Sequence, residues 1–259
     1  DCSSDESGAI ADKFAAEYGF VKVIHAAKNQ GVAAARNLGL AKAGGKYVIF
    51  VDGDDRLLEN AVSGVRRHLE SVGDVDIMVC RFVSECGVLN NGALFQHEIV
   101  KTRRPEKFLA FVVEHGHHVD HCWNYIARRS FINDHGARFV DAIIGEDSEF
   151  IISLLSKATS ICLYPGDFYW YRIRPASLKN TKGVAQTTCF VTNSLEMFRL
   201  VDVRTRFVLH QVRHAIGIFL ARLCLADDEE VSQISGELGD VDLTAIGFLL
   251  PEFGLAARE

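Results

Sequence analysis

Tyr47-Val48-Ile49-Phe50-Val51-Asp52-Gly53-Asp54-Asp55 is the stretch that decides the fold. Five apolar residues in a row, β-branched or aromatic, predict a strand buried on both faces of a parallel sheet. The run ends in three carboxylates within four residues. Carboxylates gathered around one glycine repel one another unless a cation neutralises them. Hard divalent ions such as Mg2+ or Mn2+ take carboxylate oxygens and bridge to substrate phosphates. A solvated Asp-Gly turn would show the same residues; the apolar strand feeding this one favours a cation site.

Working outward, residues 9–19 have the spacing of a short amphipathic helix (Ile10, Phe14, Ala15, Tyr18), and 21–24 that of a short β-branched strand. Asn29-Gln30-Gly31 is a turn, 32–43 an Ala-rich helix, and Gly44-Gly45 its expected left-handed C-cap. Downstream, 57–72 predicts a helix and 75–84 an apolar strand. Further helices are expected at 104–114, with Pro105 in the first turn, and at 123–133. Strands at 160–163 and 168–173 flank a Pro165-Gly166-Asp167 turn. Strands alternating with helices predict a doubly wound α/β sheet, in which ligands bind beyond the carboxyl ends of the strands. The acidic turn sits at such an end. From about residue 185 the pattern changes to long helices, with Val208, Val212, Ile216, Phe219 and Leu223 on one stripe. The expected division is a catalytic α/β domain over 1–183 and a helical C-terminal region over 184–259.

The composition, 48% apolar and 24% charged over 259 residues, is that of an ordinary globular protein. Nothing in a net charge of −6 suggests a surface built for nucleic-acid phosphates, which usually needs a concentrated basic face. The cysteines are odd in number, seven, and contain no C-x-x-C pair. A disulfide framework and a structural zinc are therefore disfavoured, and a reducing cytoplasm fits best. The run 207–226 is interrupted by His210, Arg213, His214 and Arg222, so it does not read as a membrane span. No signal-peptide pattern is present at residue 1. The polar opening, 1–8, feeds a helix where an α/β domain normally starts with a buried strand, so the front of the domain is expected to be missing.

Two more segments carry chemistry. Residues 29–39 place a Gly turn at a helix start, where backbone N–H groups and the positive dipole end suit polar ligands. Arg36 and Asn37 lie inside that helix, where a structural salt bridge or a solvated face is the default. Gly145-Glu146-Asp147-Ser148-Glu149-Phe150 opens an apolar helix. A carboxylate there reads either as a cap, worth about 1 kcal/mol, or as a general base at a pocket edge. The cluster of His115, His117, His118, His121 and Cys122 has donors suited to zinc. It lies in a loop, so the four-residue spacing of His117 and His121 is not the pairing of one helix face, and a loop packed under Trp123 would look the same. The 206–225 stripe reads as a core helix packing the C-terminal region onto the domain. The alternative is a helix seated at a membrane interface, which the acidic stretch 227–230 opposes.

In their order, Asp1-Cys2-Ser3-Ser4-Asp5, the N-x-G-x-x-x-A-R-N-x-G run at 29–39, A-x-G-G-K-Y-V-I-F-V-D-G-D-D at 43–55, G-E-D-S-E-F at 145–150 and Y-W-Y-R-I-R-P-A-S at 169–177 resemble glycosyltransferase family 2 across roughly residues 1–180. The resemblance implies a GT-A fold, an α/β Rossmann-like, mostly parallel sheet flanked by helices, here lacking the family's N-terminal strand, helix and strand. It implies inverting transfer, of hexosyltransferase type, from a nucleotide-sugar donor, commonly a UDP-sugar. The acceptor would be a hydroxyl of a glycan or lipid-linked acceptor, in cell-surface polysaccharide biosynthesis. The enzyme would be cytoplasmic, with peripheral contact at the inner face of the membrane. By the same resemblance Asp1 contacts the nucleobase, Arg36 and Asn29 lie at the nucleotide, and Asp52 binds ribose. Asp54 and Asp55 hold Mg2+ or Mn2+. Asp147 is the catalytic base, with Glu146 beside a sugar. Arg172 or Arg174, with Ser177, closes over the diphosphate, and His121, Trp123 or Asn124 touches the acceptor side. The competing readings are a metal-dependent nucleotidyltransferase, which lacks here its Gly-rich basic loop, and a non-catalytic fragment or binding module using the His-rich loop.

Overall fold

The computed structural model describes residues 2–84, 95, 105–115, 121–140, 146–173, 229 and 232–234. The expected division near residue 183 and the 206–225 stripe lie outside these residues. In chain order the elements are α1 (Ser7–Glu17), α2 (Gly31–Lys42), β1 (Tyr47–Ile49), β2 (Arg56–Leu57), α3 (Ala61–Val72) and β3 (Ile77–Ser84). They are followed by α4 (Pro105–Glu114), a 3-10 turn (Cys122–Asn124), β4 (Tyr125–Arg128), α5 (Arg129–Asp134), α6 (Glu146–Lys157) and β5 (Ile161–Tyr171).

The strands form one sheet in the order β1-β4-β3-β5-β2. Its two faces carry two cores. Val48, Ile77, Val79, Ile161 and Leu163 pack with residues of α2, α4, α5 and α6, and Ile234 joins them. Met78, Cys80, Ile126 and Cys162 pack against Ala61 and Val65 of α3 on the opposite face. β1 is covered on both sides, as its apolar run predicts: Val48 enters the first core while Tyr47 and Ile49 pack against the second.

The sheet is mixed, however, and not mostly parallel. β3 and β5 run parallel, whereas β1–β4, β3–β4 and β2–β5 are antiparallel. An apolar run reports burial of both faces and carries no information on strand direction. The expected helix at 123–133 is broken in the same way. Its first part is the 3-10 turn and β4, inserted between β1 and β3, and only Arg129–Asp134 is helical. A short apolar segment such as Tyr125-Ile126-Ala127 has no period to separate strand from helix, and the sheet's open register decides it.

Three short segments also differ from expectation. Residues 21–24 form no strand: Val21 and Val23 are half-buried and Lys22 and Ile24 exposed. No strand among the described residues pairs with them. The C-cap of α2 is Ala43 in an extended conformation, φ −62° and ψ 131°. Gly45 serves close approach instead, since a Cβ there would meet the Tyr47 carbonyl oxygen at 3.2 Å. Pro165-Gly166-Asp167 is an irregularity inside one long strand and not a turn between two. β5 stays paired with β3 on either side, with the register shifting between Cys80 and Phe82. Proline cannot donate to the ladder, which is why the irregularity falls there. Arg81 spans it, Nη1 donating to the Pro165 carbonyl (3.2 Å) and Nη2 pairing with Asp167 (3.1 Å).

Candidate active site

The site forms where β1 ends, α6 begins and the inner side of α2 meets both. After Ile49 the chain turns sharply, the Asp55 N–H donating to the Asp52 carbonyl at 3.1 Å. The turn is fastened from β5. Tyr169 Oη donates to Asp55 Oδ2 (2.7 Å) and accepts from the Asp52 N–H (3.1 Å), and the Arg172 N–H donates to Asp55 Oδ1 (2.8 Å). Both Asp55 oxygens thus face protein donors. Burial raises the Asp55 carboxyl above its ordinary range, against the hydrogen bonds from Arg172 and Tyr169 that lower it. The Tyr169 hydroxyl is likewise pushed up by burial and stays protonated.

Arg36, on the second turn of α2, reaches this cluster with 11% of its side chain exposed. Nη2 donates to Asp52 Oδ1 (2.9 Å), Nη1 donates to Glu146 Oε1 (2.7 Å), and Asp147 Oδ1 lies 4.0 Å from Nη1. Burial opposes the charge on Arg36, and the neighbouring carboxylates Asp147 and Asp52 override it. Its neighbour Asn37 holds the chain ahead of α6: Nδ2 donates to the Phe139 carbonyl (2.8 Å) and Oδ1 accepts the Phe139 N–H (2.9 Å). The A-R-N triplet therefore joins α2 to the region of α6 with two successive side chains.

Asp147 lies in the first turn of α6 with 15% of its side chain exposed. Oδ2 accepts the Cys122 N–H at 3.4 Å. Burial, and then the charge of Glu146, push its carboxyl up to about 7, with Arg36 acting in the opposite direction. A carboxylate with its affinity for protons raised to near neutrality suits general-base work. Burial also pushes the Cys122 thiol well up, so it is a neutral lining group and not a nucleophile.

The other expected site residues fall as follows. Asp54 is half-buried in the turn. Asn29 is exposed, and its Oδ1 accepts the Gly31 N–H (2.9 Å), a turn that starts α2. The Arg172 side chain is exposed, 5.6 Å from the Trp170 ring, whose other described cation is Arg56 at 4.4 Å. Asp1, Arg174 and Ser177 lie outside the described residues, as do His117 and His118. Trp123 is only 2% exposed, stacked on Tyr169 (4.5 Å) and His121 (4.8 Å). Asn124 is buried too, its Oδ1 without a hydrogen-bond partner among the described residues. Of that trio His121 is half-buried, with Tyr171 6.4 Å away in near-parallel orientation. Tyr169 is a participant the sequence reading did not pick out, and Cys122, read there as a zinc donor, lines Asp147 instead; the alternation in Phe168-Tyr169-Trp170-Tyr171 points Tyr169 and Tyr171 to one side but not at the turn.

No group of three or more His, Cys, Asp or Glu side chains converges for a metal among the described residues. The donor set instead fits a cation held by one or two carboxylates with its remaining positions filled by water and substrate phosphates, the usual habit of Mg2+. Both expected ligands, Asp54 and Asp55, stand in this turn, Asp55 with its two oxygens engaged by Tyr169 and the Arg172 N–H. No helix among the described residues is long and apolar enough to cross a membrane.

Residues 1–136, more than half of the 259, match the profile of glycosyl transferase family 2. The chain is 30% identical over 183 residues to the uncharacterized glycosyltransferase EpsJ of Bacillus subtilis, an alignment covering 69% of this chain and 52% of that protein. The chain spans about half the length of the curated relatives it matches. In structure it is similar to residues 1–349 of S. aureus TarS, solved in complex with UDP-GlcNAc, with a TM-score of 0.64 and 18% identity over 93% of this chain and 69% of that one. It is also similar to the mannosyltransferase PcManGT of Pyrobaculum calidifontis, solved with GDP-Man and Mn2+ (TM-score 0.53, 14% identity, 98% of this chain and 71% of that one).

Proposed function

The chain belongs to glycosyl transferase family 2, and from that premise we propose that it transfers a hexose from a nucleotide-sugar, a UDP-sugar, to a hydroxyl of a glycan or lipid-linked acceptor, with inversion at the anomeric carbon. The observation that carries this reading is the Arg36 bridge, which gathers Asp52, Glu146 and Asp147 around one guanidinium. It brings the turn expected to meet the donor and the carboxylate expected to meet the acceptor to one end of the sheet. The donor complexes of TarS and PcManGT support the same class of substrate.

In this reading the acceptor hydroxyl attacks the anomeric carbon while Asp147 takes its proton, a contribution of about 10²–10⁴-fold for a well-placed base. The new carbon–oxygen bond forms as the bond to the diphosphate breaks, and the electron pair leaves with the nucleoside diphosphate. Asp52, steadied by Arg36 and by the Tyr169 bond to its N–H, faces the ribose. Mg2+ or Mn2+ at Asp54 supplies charge neutralisation for the diphosphate when bound. Arg172, anchored by its own backbone to Asp55, adds a positive group at the same end, and Glu146 and Arg36 hold the start of α6. Glycan assembly at the inner face of the membrane, through peripheral contact, is the setting that fits a lipid-linked acceptor.

The test is product identity. The full-length protein, incubated with Mn2+ and a panel of UDP- and GDP-sugars, is expected to release free nucleoside diphosphate. Pyrophosphate in its place would establish the nucleotidyltransferase reading, and no release or binding of any donor would leave the chain a non-catalytic module.

A further inference from the structure

Arg36 stands where a nucleotide contact is expected, yet both of its outer nitrogens are committed to protein carboxylates. Nη2 is 2.9 Å from Asp52 and Nη1 is 2.7 Å from Glu146, and only 11% of the side chain is exposed. The guanidinium also lies 5.3 Å from the Phe139 ring, in the segment that Asn37 pins. We propose that Arg36 is a positioning residue, which ties the start of α6 to the acidic turn and supplies the positive charge that keeps Asp147 able to take a proton, and does not itself bind the nucleotide.

The charges around Asp147 show why such a group is needed. Glu146 precedes it on α6, Asp52 faces it from the turn after β1, the neutral Cys122 thiol lines it from the 3-10 turn, and Arg36 faces it from α2. Burial, Glu146 and Asp52 all favour the protonated acid, and the one opposing side-chain charge among these is Arg36. Without the guanidinium, the carboxyl that sits near 7 would hold its proton through neutral pH, and a protonated acid cannot accept the proton of the acceptor hydroxyl. The bidentate span also has a geometric consequence. A guanidinium is a rigid fork that fixes two oxygens at a set separation, which an ammonium cannot do. Thus Arg36 sets both the placement of α6 against the turn and the charge state of its second residue.

This inference rests on the reading of Asp147 as general base, and the experiment separates the two. Full-length Arg36→Ala and Arg36→Lys are compared with wild type for UDP release from UDP-N-acetylglucosamine and UDP-galactose with Mn2+ across pH 5–10, and for UDP affinity by calorimetry. Arg36→Ala is expected to keep UDP affinity within about threefold, to lose kcat by about tenfold or more at pH 7, and to move the acid limb of the kcat profile up by about one unit, so that part of the loss returns at high pH. Guanidinium added to the buffer is expected to restore part of the rate. Arg36→Lys, which retains charge without the fork, should leave the limb near its wild-type position with kcat reduced; it carries the same test should the alanine variant not fold. An unmoved acid limb and unchanged kcat at saturating donor, with UDP affinity lowered tenfold or more, would make Arg36 a nucleotide contact and overturn the proposal. Asp147→Asn is measured alongside: if it turns over like wild type, the base assignment fails, whatever Arg36 does. If it is inactive while Arg36→Ala keeps the wild-type limb, only the present inference fails.

Discussion

Tyr169 shows how much of the site depends on groups that never meet a substrate. Its hydroxyl holds the acidic turn by two hydrogen bonds while its ring stacks on Trp123. Tyr169→Phe keeps the stack and removes both bonds, leaving the Asp52 N–H and an Asp55 oxygen short of a partner. The expected cost is about 1–3 kcal/mol in chemical denaturation, with weaker binding of UDP and Mn2+ in calorimetry. Asp147 predicts the opposite sign. Its folded value near 7 lies above the ordinary 3.8, so the native state holds the extra proton and wild type loses stability as pH rises from about 4 to 7. Asp147→Asn escapes that loss. It is expected to melt higher than wild type at pH 8, with the gap closing towards pH 4 in a series of thermal melts. A buried carboxyl that is a liability to stability is the pattern expected of a functional site.

At the scale of elements, a second buried carboxylate ties β3, β4 and the start of β5 together. Asp76 pairs with Arg128 and accepts from the Thr159 N–H (2.8 Å), the Thr159 hydroxyl (2.6 Å) and the Ser160 N–H (3.1 Å). These bonds outweigh its burial and hold the carboxyl down at about 2. Asp76→Ala is expected to destabilise by about 3 kcal/mol at pH 7 in urea unfolding, the usual result of leaving buried partners uncompensated. Because the folded value lies below the unfolded one, this contribution is complete above pH 4 and lost as pH falls through 2, so the deficit of the variant should shrink over that window. α3 crosses the sheet through a close contact at a glycine: a Cβ at Gly64 would lie 2.0 Å from Tyr164 Oη and 3.1 Å from Cζ, so the tyrosine would have to shift. Gly64→Ala should cost about 1–3 kcal/mol by overpacking, and Tyr164→Phe in the same chain should recover part of it, as read from a double-mutant cycle.

The elements also show where sequence was informative. β1, α2, α3, β3, α4 and α6 follow from apolar period and turn residues, because each is long enough, or flanked clearly enough, for its period to show. β4 and the irregularity at Pro165 do not, since three or four apolar residues carry no period and pairing partners are set by distant segments. Among site residues, the acidic turn and Asp147 stand out as charges at the ends of apolar runs. The commitment of Arg36 to Asp52 and Glu146 was not legible, because its partners lie 16 and 110 residues away. The burial of Trp123 was hidden for the same reason: its stacking partner Tyr169 belongs to a strand placed beside it only by the sheet.

Across the described molecule, the chemistry gathers at one place: the turn after β1, fastened by the end of β5, meets the first turn of α6 at Arg36, with the 3-10 turn before β4 against Asp147. The rest of the described chain supports that convergence through the two cores on either face. The account stands or falls on Asp147 being the proton acceptor in a site whose donor half it does not build. The direct measurement is on full-length Asp147→Asn, titrated with UDP and Mn2+ in a calorimeter and assayed for transfer from the donor that wild type uses. Wild-type affinity for UDP with turnover reduced by about 10²-fold or more is the predicted result. Turnover at the wild-type rate, or loss of UDP binding together with activity, would contradict it.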